Sequence, residues 1–160
     1  MTTKADFNAE EWTTVIEGPL FAGLRVVAAH RGGTIRESIA MGKVYTEARQ
    51  QQGKSELLDE LVGSQPSIDR AKAQQEGGDV AALTTERLKE AMRILEEKAT
   101  PDEIDAYKTF VMTVAQAAAA AHKEGGFLGI GGTPVSEAEE KALDEISIAL
   151  GPPPSSGTTA

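Results

Sequence analysis

Apolar residues recur along most of this chain at the three- and four-residue spacing of an α-helix. The alternation of apolar and polar residues that marks a half-buried strand is absent over useful lengths, and β-branched and aromatic residues are sparse. The pattern therefore predicts an all-α protein, a single-domain bundle of six or seven helices. The segments with helical patterning, of which 55–62 and 67–76 are short and less regular, are 8–18, 19–30, 34–52, 55–62, 67–76, 85–98, 101–121 and 136–150.

Capping signals at the beginning of the chain predict where the first helices start and stop. Asn8 and Glu11 have the spacing of a capping box, and Phe7 and Trp12 occupy the two positions of a hydrophobic staple. Trp12 is therefore expected to be structural. Gly18–Pro19 predicts a break, because proline clashes with the preceding turn inside a helix but suits the first turn of a new one.

A second capping box, Thr34 with Glu37, predicts the start of the helix that Gly53 ends. Four of its residues share the predicted buried face. Gly42 is expected to mark a close helix crossing, since it carries no side chain. The residues of this face are Ile35, Ile39, Gly42 and Tyr45.

The strongest start signal, Thr100–Glu103, combines a capping threonine, proline at the first helical position and early acidic residues. From Ile104 to Ala121 the helix that follows is apolar on nearly every side, with many alanines that let neighbouring backbones approach. It is predicted to be the central helix of the bundle. Leu88, Met92 and Leu95 give the helix before it one apolar face.

The two histidines of the chain, His30 and His122, lie in near-copies of one sequence. Each closes an alanine-rich segment, each is followed by a glycine pair, and each precedes a new helix start. This repeat predicts two helix-turn-helix corners related by an approximate two-fold axis around the central helix.

The last helix is predicted to begin with a capping box of Ser136 and Glu139. Its inward face is predicted to carry Leu143, Ile146 and Leu150. We expect the single domain to cover residues 1–150. The Pro-, Ser-, Gly- and Thr-rich segment 151–160 cannot bury apolar surface and is expected to be a disordered tail.

Charge and composition narrow the function classes. The formal net charge is −9, most of it in the last third of the chain, so the surface would repel nucleic-acid phosphate and we expect no nucleic-acid partner. Cysteine is absent, which excludes disulfides and thiolate chemistry. No apolar stretch approaches the roughly 20 residues of a membrane span. We therefore expect a cytoplasmic protein without membrane insertion.

Each histidine has a structural and a functional interpretation. A ring near a helix C-terminus can hydrogen-bond a free carbonyl or, when charged, interact favourably with the helix dipole. Alternatively, the two-fold relation would bring His30 and His122 together with Glu124 or Glu37 as ligands of zinc or nickel. The chain lacks the Glu-x-x-His spacing of di-iron bundles, which disfavours a ferritin-like oxidase.

Acidic residues of the last helix offer a second candidate cation site. Glu137, Glu140 and Asp144 share one face, where they could attract calcium or magnesium or simply form a solvated surface. No serine elbow or triad spacing surrounds either histidine, so enzyme activity is unsupported although not excluded.

The glycine-rich segment between the last two helices carries Phe127, Leu128 and Ile130. It lacks the lysine and the preceding strand of a phosphate-binding loop. Two interpretations stay open: these apolar residues tuck under neighbouring helices, or they are exposed and bind a protein partner.

Residues 134–143, Pro-Val-Ser-Glu-Ala-Glu-Glu-Lys-Ala-Leu, and more loosely residues 28–37, resemble the corners of bacterial tellurite-resistance TerB-like proteins. Those corners have the form Ala-x-x-Ala-Asp-Gly-x-Val-Ser-x-x-Glu. Gly32 stands where the family's aspartate is expected. The resemblance implies an all-helical accessory protein of a metal-stress or membrane-associated response system that binds without turnover. It also implies that Glu139 and Glu140 occupy the family's acidic positions and that Glu124 replaces the missing aspartate.

We therefore hypothesise a non-enzymatic, TerB-like cytoplasmic accessory protein that binds a divalent cation or a protein partner. The candidate metal ligands are Glu124, Glu139, Glu140, His122 and His30. One alternative is an interaction module that docks through Phe127–Ile130, on a partner or on a second copy as a homodimer. The other is a metal-dependent hydrolase that uses His122.

Overall fold

The computed structural model describes residues 1–29, 35–64, 79–123 and 136–152. Within these ranges the protein is an all-α, single-domain bundle without strands. A short 3-10 turn, Lys4–Asp6, precedes six α-helices. They are α1 (Ala9–Ala28), α2 (Ile35–Gln50), α3 (Glu56–Gly63), α4 (Val80–Lys98), α5 (Pro101–Lys123) and α6 (Glu137–Leu150).

Helix α5 is the centre of the bundle and contacts each of the other five helices. Helices α1 and α4 pack against each other, α1 lies along α5, α2 and α3 flank α5 on one side, and α6 packs on α4 and α5. Tyr107, Val111, Val114 and Ala115 are completely buried. The prediction of a central apolar helix is therefore confirmed.

Most of the predicted helix starts are confirmed. Asn8 and Glu11 form the capping box of α1, and the rings of Phe7 and Trp12 lie 5.5 Å apart as the staple requires. Ser55 caps α3, Thr100 accepts a hydrogen bond from the Glu103 amide at the start of α5, and α6 begins with its predicted box. Helix α4 begins five residues before the predicted start, because Asp79 accepts hydrogen bonds from Ala81 and Ala82.

The predicted break at Gly18–Pro19 is wrong, because α1 continues through both residues. Pro19 has no amide hydrogen to donate to the carbonyl of Val15, four residues earlier. The hydroxyl of Tyr107 in α5 donates to that carbonyl instead, at 2.8 Å. Gly18 makes room for the phenol, since a β-carbon there would overlap with the hydroxyl oxygen. A contact from α5 thus replaces the hydrogen bond that proline removes.

The predicted buried face of α2 is also wrong in part. Tyr45 is buried as expected, but Ile39 is 56% exposed, and within the described ranges no atom lies within 4 Å of where a β-carbon of Gly42 would stand. The face that turns inward carries Glu37, Met41 and Tyr45, so a buried carboxylate shifts it away from the apolar pattern. The close approach occurs instead at a glycine of α1, Gly23, beside Met41 and Val114.

Several predictions concern residues outside the described ranges. The helix predicted for 67–76, the two corners at 30–34 and 124–135, and the tail from residue 153 all fall there. The approximate two-fold relation of the corners therefore stays a prediction. Among the described residues, no helix is both long and apolar enough to span a bilayer.

Candidate functional site

An open groove of about 420 Å³ lies where α2, α3 and one face of α5 meet. Its floor is mainly apolar, whereas charged and amide side chains stand at the rim. The floor residues are Val44, Ala48, Leu58, Val62, Ala106 and Phe110, and the rim includes Glu47, Gln51, Lys54, Asp59 and Asp105. A volume in this range is typical of sites that bind small molecules or short peptide segments.

Contacts between the three helices hold the walls of the groove in place. Tyr45 of α2 packs edge-on against Phe110 of α5, with the ring centroids 5.1 Å apart. The guanidinium of Arg49 donates to the carbonyl of Val62 at 2.7 Å and so joins α2 to the end of α3. These contacts anchor the floor of the groove.

The turn between α2 and α3 contributes residues to the lining of the groove. Gly53 has a φ of 101°, a left-handed conformation that glycine adopts without strain. Its amide donates to the carboxylate of Asp59 at 2.8 Å, and Ser55 caps α3. The turn therefore places Lys54 and Asp59 at the rim.

Threonines of α5 form the opposite wall. Thr109 and Thr113 are exposed, and their hydroxyls donate to the carbonyls of Asp105 and Thr109 within the same helix, at 2.9 and 2.7 Å. The same two residues border a second, smaller groove of about 280 Å³ between α5 and α6. The central helix thus has a polar stripe of small side chains with a groove on each side.

The floor of the groove is uncharged, and the ionisable hydroxyl of Tyr45 next to it is neutral as well. Burial raises the pKa of the Tyr45 hydroxyl, an effect that the nearby positive charge of Arg49 opposes only in part. The hydroxyl therefore stays protonated at physiological pH. Charge at this site is confined to the rim, where Glu47, Asp59 and Asp105 outnumber Lys54.

Two of the five predicted metal ligands, Glu139 and Glu140, have described side chains, and they lie in different environments. Glu139 is 1% exposed, and its carboxylate accepts the amide of Ser136 at 2.9 Å in the capping box of α6. Glu140 is exposed. His30, Glu124 and the side chain of His122 lie outside the described residues. Within the described ranges, no three Asp, Glu or His side chains gather as metal ligands would.

The acidic face of α6 lies within the described residues, whereas the apolar loop before it does not. Glu137, Glu140 and Asp144 are exposed, as predicted for a solvated face. Glu145, next to that face, pairs with Arg25 of α1 at 2.8 Å. The loop residues Phe127, Leu128 and Ile130 fall outside the described ranges, so docking through them stays a prediction.

The groove itself was not predicted from the sequence. One signal could have shown its α5 wall: Asp105, Thr109 and Thr113 recur every four residues and form a polar stripe on a helix that otherwise looks apolar all round. No comparable signal shows that α3 folds back across α2, because this follows from the tertiary arrangement.

Comparison with known proteins gives no match: no family model, no curated protein and no solved structure is significantly similar to this chain.

Proposed function

We propose that this chain is a non-enzymatic cytoplasmic binding protein that holds a short segment of a protein partner in the groove between α2, α3 and α5. The observation that carries this proposal is the groove, which partly exposed apolar side chains, among them Val44, Ala48 and Leu58, line. Exposed apolar surface that is concave and has a polar rim is typical of an interaction site.

The resemblance to TerB-like corners supports the same class of function, since it implies an accessory protein that binds without turnover. Of the two modes of binding in our hypothesis, cation or partner, we favour the partner. The described residues contain a groove of suitable size, and the preference rests on this groove. A calorimetric titration with calcium, magnesium, zinc and nickel tests the cation mode separately, and absence of heat with all four would remove it.

The proposal is tested by selecting peptides from a random 15-residue library on the wild-type protein. A variant with Ala48→Gln and Ala106→Gln fills the floor with polar side chains without changing the charge. Its matched control, Ala82→Gln with Ala138→Gln, places the same side chains at exposed positions of α4 and α6. Thermal melting of both variants first establishes that they fold.

We expect selected peptides to bind the wild type and the control equally, and to bind the filled variant at least about tenfold more weakly, a loss of about 1.4 kcal/mol. Two results would contradict the proposed function: selection yields no peptide, or every selected peptide binds the filled variant as well as the wild type.

A further inference from the structure

We infer that the occupant of this groove is a basic amphipathic α-helix of a protein partner; this inference rests on the proposed function. The first support is that the backbone groups of the groove walls already have hydrogen-bond partners. Its walls are the helices α2, α3 and α5, whose interior backbone groups bond within each helix. The hydroxyls of Thr109 and Thr113 donate to carbonyls of their own helix as well.

An extended peptide would therefore bury amide and carbonyl groups against a floor that gives them few partners. Each such group left without a hydrogen-bond partner weakens binding. No strand edge is present among the described residues to accept an added strand. A helical occupant avoids this cost, because it satisfies its own backbone hydrogen bonds and presents only side chains.

The shape of the groove also suits a helix. Its α5 wall runs from Asp105 to Thr113, which is about 12 Å, or just over two helical turns, at about 1.5 Å per residue. The residues that an incoming helix would meet include the small side chains Ala48, Ala106 and Thr109. Small residues allow two helix axes to approach closely, and the apolar Leu58 and Val44 lie beside them to receive larger side chains.

Charge at the rim determines the sign of the occupant. Glu47 on α2, Asp59 on α3 and Asp105 on α5 place a carboxylate on each of the three walls, whereas Lys54 is the one cationic side chain among the described residues that line the groove. Asp59 also accepts the amide of Gly53, which fixes its position. The chain as a whole is acidic as well, with a formal net charge of −9. Lysine or arginine on the flanks of the bound helix would complement this rim.

The experiment uses the groove-dependent peptides obtained by the selection above. Their affinity is measured for the wild type, for Glu47→Lys with Asp105→Lys, and for a control, Glu86→Lys with Glu96→Lys. The control makes the same change in net charge at exposed positions of α4. Circular dichroism of peptide and complex records the helix that forms on binding, since free peptides of about 15 residues are only marginally helical.

We expect lysine- or arginine-rich peptides that gain helicity when they bind. Reversal of the rim charges should weaken binding about tenfold at low salt, whereas the control should change it less than about threefold, and high salt should reduce the difference. Lysine-to-glutamate versions of the peptides should recover affinity for the reversed rim.

Three results would overturn the inference while the proposed function stands. The groove-dependent peptides could be neutral or acidic, they could bind without gaining helicity, or the rim reversal could act no more strongly than the control. A fourth result, a dimer in sedimentation experiments that the filled variant abolishes, would identify the occupant as a second copy of this chain. Failure of the proposed function is distinct, because then no peptide distinguishes the filled variant from the wild type.

Discussion

One side of helix α5 packs closely against α1, and another side borders two open grooves. On the side of Tyr107, α1 comes so close that Gly18 has no space for a β-carbon, and a hydroxyl from α5 completes the hydrogen bonding of α1. On the other side, two residues along and about 200° around the helix, Thr109 stands exposed between two grooves. We call these the packed side and the open side.

The difference shows that the same kind of residue can lie in the packed interior or line an open groove, according to whether a neighbour covers it. Ala115 on α5 is completely buried, whereas Ala106 on the same helix is only half-buried and lines the groove. Both are alanine, and helix propensity does not distinguish them. The assignment of a binding surface therefore depends on where α1, α2 and α3 lie around α5.

The largest effect is expected at the tightest contact of the packed side. Gly18→Ala should destabilise the protein by about 3 kcal/mol, because the added methyl group overlaps with the end of a rigid, buried phenol. Gly42→Ala is the control: no atom of the described residues lies within 4 Å of the β-carbon that it adds, so better helix propensity should stabilise by up to about 1 kcal/mol. Urea unfolding measures both. Equal effects of the two substitutions would show that the contact at Gly18 is loose.

The second effect concerns the beginning of α5. Burial opposes ionisation of Glu103, but hydrogen bonds from Thr2 and Thr100 outweigh it and lower its pKa from 4.5 to about 2. A carboxyl group whose pKa is lower in the folded protein stabilises the fold at pH values above its unfolded pKa. This stabilisation is lost as the pH falls from about 4.5 to about 2. Allowing for screening by solvent, we expect ionised Glu103 to contribute about 2 kcal/mol to the free energy of unfolding.

This is measured as the difference in unfolding free energy between wild type and Glu103→Gln at several pH values. The difference should be largest above pH 5 and should shrink towards pH 2. Asp102→Asn, at an exposed position of the same turn, controls for the loss of one negative charge near a helix N-terminus. A difference that is constant over this range would contradict the assigned hydrogen bonds.

The third effect tests why α1 tolerates proline. Burial raises the pKa of the Tyr107 hydroxyl, so it stays protonated and donates to the Val15 carbonyl. Tyr107→Phe should cost about 1.5 kcal/mol, because this buried acceptor loses its donor. With Pro19→Ala the cost should fall by about 1 kcal/mol, since the new amide can donate in place of the hydroxyl. An identical cost in both backgrounds would disprove this exchange.

The outcome of each sequence prediction depends on whether its physical cause is local in the chain or tertiary. Capping boxes such as Asn8 with Glu11 and Ser136 with Glu139 were predictable, because their hydrogen bonds join residues three apart. The break at Gly18–Pro19 was wrong, because the hydrogen bond that rescues the helix comes from Tyr107, far along the chain. Local rules contain no information about such a partner.

The prediction of the buried face of α2 was wrong in part for a related reason. Periodicity assumes that apolar residues point inward, but Glu37 is buried in α2 and Ile39 is exposed. Val44 and Ala48 of the same helix line the groove together with residues of α3 and α5. A sequence can therefore predict the helices of this bundle more readily than the surfaces that they leave open.

The smallest effect on stability is expected on the open side. Ala106→Gln should change the free energy of unfolding by no more than about 0.5 kcal/mol, because the new side chain extends into the groove and displaces only solvent. Ala82→Gln, at an exposed position of α4, is the matched control and should give the same small change. Urea unfolding of the two variants compares them directly. A cost at Ala106 of more than about 1 kcal/mol above the control would mean that this side of α5 is covered in solution, and the contrast between its two sides would then be lost.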